Sequence, residues 1–156
     1  MNLKLRKYHS QLGSTLVEVI LVTAVVATVL TALAASVSMS AQNTNRNQTT
    51  SMATSLAQEM LEVFHRERYA LGWESFRTAL GNGTYCLNDL PADSASFSNT
   101  ANQECAGTEF ITDTNYQREA VVTILSDQVR VVSVVSWMDG NDEKQIEVEQ
   151  IFKEIN

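Results

Sequence analysis

From Leu16 to Ala35 the chain reads LVEVILVTAVVATVLTALAA, an apolar run with one charge, Glu18, and neither Gly nor Pro. As a helix rising about 1.5 Å per residue it covers roughly 30 Å, the depth of a bilayer's hydrocarbon core. The pattern predicts one membrane-crossing helix. Residues 42–50, QNTNRNQTT, are polar and of modest helix propensity, and predict a frayed or melted section. Beyond them Met52, Leu56, Met60 and Phe64 recur at every fourth position. Ala53, Ala57 and Leu61 lie alongside, while Gln58, Glu59, Glu62 and Arg66 fall elsewhere. That spacing predicts an amphipathic helix with one buried stripe, and it sets Glu62 and Arg66 apart by the interval of an i,i+4 ion pair.

The pattern changes after Leu71. Trp73–Leu80 predicts a turn or small helix stopped by Gly81-Asn82-Gly83. Residues 84–115 are rich in Asn, Ser, Thr and Asp and predict a long loop, with a brief strand near Glu109–Thr112. Three β-branched segments follow: Ala120–Leu125, Val129–Met138 and Gln145–Phe152. The separators Ser126-Asp127-Gln128 and Asp139-Gly140-Asn141-Asp142 have hairpin chemistry. In the last segment Ile146 and Val148 alternate with Glu147 and Glu149, one face on a core and one in water. The middle segment is apolar on both faces: Val129, Val131, Val135 and Trp137 on one, Val132, Val134 and Met138 on the other. It is expected to be the central strand of an antiparallel meander. The fold class expected is α+β, a long N-terminal helix, transmembrane in its first half, packed on a small antiparallel sheet.

Composition sharpens this picture at one end. The whole chain has 11 Lys+Arg against 18 Asp+Glu, a net charge of −7, which disfavours general nucleic-acid binding because that needs cations to displace phosphate counterions. A mean hydropathy of −0.10 excludes a multi-span membrane protein. Residues 1–13 carry Lys4, Arg6 and Lys7 and no acid, and no comparable basic cluster follows the apolar run. The asymmetry places the N-terminus in the cytoplasm and the acidic remainder beyond the membrane. A conventional signal peptide cut after Ala34, with Ala35 as the new N-terminus, is the competing reading; it would make the chain a soluble exported binding protein. A plain signal anchor is another, and it leaves Glu18 without a purpose. A charge at mid-bilayer costs on the order of 2–3 kcal/mol, so a membrane carboxylate is rarely kept without a partner or a function.

The text Leu12-Gly13-Ser14-Thr15-Leu16-Val17-Glu18, after a short basic leader and before the apolar run, resembles the processing signal of type IV pilins and type II secretion pseudopilins. The resemblance spans roughly residues 4–41. It implies cleavage by a prepilin peptidase after Gly13, N-methylation of the new N-terminus at Ser14, and a glutamate at the fifth mature position, Glu18, acting in assembly. The first mature residue of the family is usually Phe, where this chain has Ser14. Cleavage leaves the hydrophobic helix on the mature protein and creates a cationic amine four residues before Glu18. In filaments of this family that amine, or a neighbour's, pairs with the glutamate inside an apolar bundle. Val135-Ser136-Trp137 and Leu56-Ala57-Gln58-Glu59 with Leu61-Glu62 also look like minor pilins and minor pseudopilins. The implied organisation is a leader over 1–13, a transmembrane and filament-core helix over 14–41, an amphipathic half over 42–70 and a head over 71–156. The implied partners are other pilin or pseudopilin subunits, prepilin peptidase, an inner-membrane assembly platform, and lipid before assembly. The implied location is the inner membrane in a single pass, with the head in the periplasm or outside the cell, and then a pilus or pseudopilus.

Export favours a Cys86–Cys105 disulfide, and closing about twenty residues stabilises by roughly 3 kcal/mol in the chain-entropy model. No C-x-x-C spacing supports a redox or metal site there. His65, beside Arg66 and Arg68, reads as a surface or helix-end histidine, and no nucleophile elbow or phosphate loop accompanies it. No catalytic residues and no cofactor are expected. Asp139, Asn141 and Glu143 have the first spacings of a calcium loop, but Lys144 stands where that loop wants Gly and Gln150 where it wants an acid, so a polar turn is expected and no metal.

Overall fold

Between Ser14 and Leu71 the chain has neither Gly nor Pro. In the computed structural model, which describes residues 12–154, this stretch lies in one α-helix, α1 (Leu12–Leu71). The polar run 42–50 does not interrupt it, contrary to the expectation from propensity. Hydroxyls in and just after this run turn back on their own helix: Thr44 Oγ1 donates to the Ser40 carbonyl at 2.9 Å, and Thr54 Oγ1 to the Thr50 carbonyl at 2.8 Å. Low propensity weakens a helix by tenths of a kcal/mol per residue, whereas only Gly or Pro breaks one outright. The chain falls into two compact units, Met1–Arg46 and Asn47–Asn156.

Helix α1 ends where Gly72 takes φ 75, the left-handed conformation, and its N–H donates to the Arg68 carbonyl at 3.2 Å. Helix α2 (Trp73–Ala79) follows, then β1 (Gly83–Cys86), α3 (Ser94–Ser98), β2 (Tyr116–Ile124), β3 (Gln128–Asp139) and β4 (Asp142–Lys153). The four strands form one antiparallel sheet in the order β1-β2-β3-β4, and β3 is central to the β2-β3-β4 meander, as its two apolar faces predict. The alternation assigns the faces correctly: Val129, Val131, Val135 and Trp137 are buried, while Met138 is half exposed.

The sequence reading misses two elements and adds one. β1 begins at Gly83, the end of the expected stop, and runs into the expected loop, with Tyr85 opposite Ala120, and α3 is started by Asp93, whose side chain accepts from the Ser96 N–H at 2.8 Å. The brief strand expected at Glu109–Thr112 does not form; Ile111 instead donates its N–H to the Tyr116 carbonyl, closing a turn into β2.

The part of α1 within the second unit packs on the sheet through Ala53, Leu56, Ala57, Met60, Leu61 and Phe64. This stripe differs from the expected one at Met52, which is 46% exposed. Ala53 and Ala57 face Tyr116, Val135 and Trp137, so the sheet meets the helix at its small side chains and Met52 turns away. Phe64 meets Phe97 edge-on at 5.3 Å between ring centroids, and Phe76 packs on both Phe97 and Phe152. These rings are the centre of the head's core.

Candidate functional site

Two features carry chemistry, one in each unit. In the first, the large side chains from Leu16 to Leu33 are half or more exposed, from Val26 at 50% to Leu16 and Val17 at 63%. The window is long and apolar enough to cross a membrane, with a mean hydropathy of 2.5 and none of it buried. Its threonines are satisfied within the helix: Thr23 donates to the Ile20 carbonyl, Thr28 to Val25 and Thr31 to Thr28 at 2.8–2.9 Å. Such back-bonding lets a hydroxyl tolerate an apolar medium. Glu18 has no such arrangement with any described residue and stands exposed among Leu16, Val17, Val19 and Ile20. Gly13 and Ser14 fall in the first turn of α1, with the Ser14 side chain and the leader up to residue 11 outside the described residues.

In the second unit, Cys86 and Cys105 form the expected disulfide, with Cα atoms 4.7 Å apart. The loop it closes is held by further bonds. Cys86 N–H donates to the Gln103 carbonyl at 2.8 Å, Cys105 N–H to Glu119 Oε1 at 2.7 Å, and Asn88 Nδ2 to the Glu109 carbonyl at 2.9 Å. Glu109 lies close to both sulfurs. With those sulfurs in a disulfide there is no thiolate to act as a metal ligand. Phe110, five residues past Cys105, is 44% exposed. Removing the bridge by the double Cys86→Ser and Cys105→Ser change is expected to lower stability by roughly 3 kcal/mol, read from urea unfolding of the detergent-solubilised chain with and without reductant.

Beneath the loop lies a residue that sequence reasoning missed. Arg118, on β2, is 2% exposed, and its guanidinium donates to the Leu87 carbonyl at 2.8 Å, the Leu56 carbonyl at 3.1 Å, the Asn88 carbonyl at 3.3 Å and Glu59 Oε2 at 3.0 Å. One side chain thus joins α1, β2 and the start of the disulfide loop. Burial pushes the Arg118 guanidinium below its ordinary value, and the Glu59 carboxylate opposes that shift. Glu67, 1% exposed, was missed in the same way; it accepts from Arg66 Nε at 2.7 Å and from the Ser94 hydroxyl of α3. Arg66 therefore pairs with its neighbour Glu67 and donates to the Pro91 carbonyl, rather than forming the expected pair with Glu62. The only signal for either residue is a charge placed at an otherwise apolar phase of its element.

His65 is half buried, its ring against Phe152 at 4.8 Å. Asp139, Asn141 and Glu143 lie on the β3–β4 hairpin, where Asp139 pairs with Asp142 across the turn. Comparison with protein-family models, curated proteins and solved structures finds no match to this chain.

Proposed function

We infer that the chain is a minor pilin, a structural subunit that assembles into or primes a type IV pilus through its N-terminal hydrophobic helix after prepilin peptidase cleavage between Gly13 and Ser14. The observation that carries this reading is the exposed apolar length of α1 with one carboxylate, Glu18, placed four residues after Ser14. A fully exposed apolar surface of this length is unstable in water and requires lipid or other helices around it. In lipid it anchors the precursor; in a bundle of like helices it forms a filament core. A carboxylate in either apolar medium needs a cation, and processing supplies one as the α-amine of Ser14, about one helical turn away. The head, carrying the disulfide-tied polar loop, is then the displayed part. In this role the protein works by assembly, with its partners being other pilin subunits, the peptidase and an inner-membrane platform, and its head lying in the periplasm or outside the cell.

Intact-mass analysis of the chain recovered from cells with prepilin peptidase tests the reading. A mature N-terminus at Ser14, with or without one added methyl group, is expected. A mature N-terminus at Ala35 removes the apolar run of α1 from the protein and overturns it, leaving a soluble exported protein.

A further inference from the structure

The β3–β4 hairpin turns through two residues, Gly140 at φ 68 and Asn141, between the opposed Asp139 and Asp142. In a two-residue hairpin the closing residues form a hydrogen-bonded pair, and such pairs alternate along the ladder. The even-numbered residues of β4 therefore bond to β3. The backbone groups of Glu143, Gln145, Glu147, Glu149, Ile151 and Lys153 point the other way. One contact outside the ladder agrees: the Lys153 carbonyl accepts from Arg68 of α1. The sheet order ends at β4, so among the described residues no strand occupies that side. The opposite edge is different, being the four-residue β1 with Gln103 already bridged to Tyr85. β4 is twelve residues long, and short of the Lys153 carbonyl its outer edge is open among the described residues; natural sheets usually shorten, cover, bulge or charge such an edge, and here only its charges limit which registers can pair.

We propose that β4 is a pairing edge for a second copy of this chain, joined antiparallel with Gln150 opposite Gln150 of that copy. This rests on the geometry of β4 alone and holds whether or not the chain is a pilin. The register follows from charge. Two edges of this kind pair only odd-numbered residues with odd-numbered residues through hydrogen bonds, and directly opposed side chains lie on the same face. Every register with a longer overlap sets an acid opposite an acid: Glu147 or Glu149 meets itself, or one of them meets the other, or Glu149 meets Glu143. Centring on Gln150 removes all of these. Glu147 then faces Lys153 of the second copy, twice by symmetry, and Glu149 faces Ile151. Glu149 is already held by Arg130 within its own chain, accepting from Nε and Nη2 at 2.8 Å, whereas Glu147 accepts from neutral Gln145 Nε2 at 3.3 Å and is the acid left for the intermolecular pair. On the core face of the sheet, Val148 of one copy meets Phe152 of the other.

Cysteine cross-linking of the full chain in detergent micelles tests the register. Gln150→Cys is expected to give a disulfide-linked dimer on oxidation, because directly opposed Cβ atoms lie about 4.5–5.5 Å apart. Glu143→Cys is expected to give none, since the two positions stand about 48 Å apart in this pairing. In the Gln150→Cys background, Lys153→Glu is expected to reduce cross-linking at least tenfold, and adding Glu147→Lys to it is expected to restore the dimer. Absence of a dimer with Gln150→Cys, equal cross-linking from Glu143→Cys, or failure of the paired charge exchange to restore it each overturns the proposal. Because the membrane helix is common to all these variants, association through that helix alone gives no dependence on position or charge in β4.

Discussion

Glu18→Ala is expected to leave the mature N-terminus at Ser14 while lowering incorporation into filaments more than tenfold. The physical asymmetry between the two steps supports this expectation. In the minor-pilin role proposed above, cleavage acts at Gly13, before the apolar run, whereas Glu18 acts only once the helix is in an apolar medium. With the carboxylate gone, the α-amine of Ser14 enters a helix bundle as an unpaired cation, and breaking a buried ion pair by removing one partner costs about 3–5 kcal/mol. Glu18→Gln removes the charge with little change in shape and is expected to behave as Glu18→Ala does. Quantitative blotting of sheared filaments against cell-bound protein, with intact mass as the processing control, reads both steps. Normal incorporation of either variant would remove the pairing role from Glu18.

Arg118→Met is expected to destabilise the head by about 3–5 kcal/mol, because it leaves several buried carbonyls without their donor, at about 1–3 kcal/mol for each unsatisfied group. Met fills much of the same volume but donates nothing, so the Leu87 and Asn88 carbonyls at the root of the disulfide loop lose their guanidinium donor. A domain's whole stability is of the order of 5–15 kcal/mol, so the loss is a large fraction of it. Glu59 lies at the other end of the same ion pair, with its side chain 57% exposed. Glu59→Gln is expected to cost less than about 1 kcal/mol, because water replaces the guanidinium at an exposed carboxylate. Urea unfolding in detergent, followed by the fluorescence of Trp73 and Trp137 in the head, separates these magnitudes. Equal effects of the two substitutions would show that the ion pair, rather than the carbonyl bonds, holds Arg118 in place.

The parts of this protein legible in the sequence are those set by local pattern. The apolar run around Glu18, the missing Gly and Pro before Gly72, the two faces of β3 and its hairpin with β4 all follow from periods of 3.6 and 2 and from turn chemistry. The Cys86–Cys105 bridge is legible for another reason: the chain has only two cysteines, which leaves one intramolecular pairing. β1 and α3 were not legible. Each is short, polar in composition and dependent on partners elsewhere, β1 on Ala120 and its neighbours in β2, α3 on Phe64 and Glu67 of α1.

By itself, then, the sequence determined the two helical halves on either side of residues 42–50, the apolar one with its one carboxylate, the disulfide and the β2-β3-β4 meander, because each depends on residues near one another or on a single possible pairing; that the helix runs unbroken through 42–50 was seen only in the structure. Tertiary structure decided which stripe of α1 is buried, since the sheet's approach selects Ala53 and Ala57 and leaves Met52 in solvent. It also decided that Arg118 and Glu67 are buried charges. Their partners lie 30 to 62 residues away for Arg118 and 27 away for the Ser94 hydroxyl at Glu67, distances over which no local spacing carries a signal. Charge in a sequence reads as surface until the fold brings the oxygens or donors that make burial tolerable.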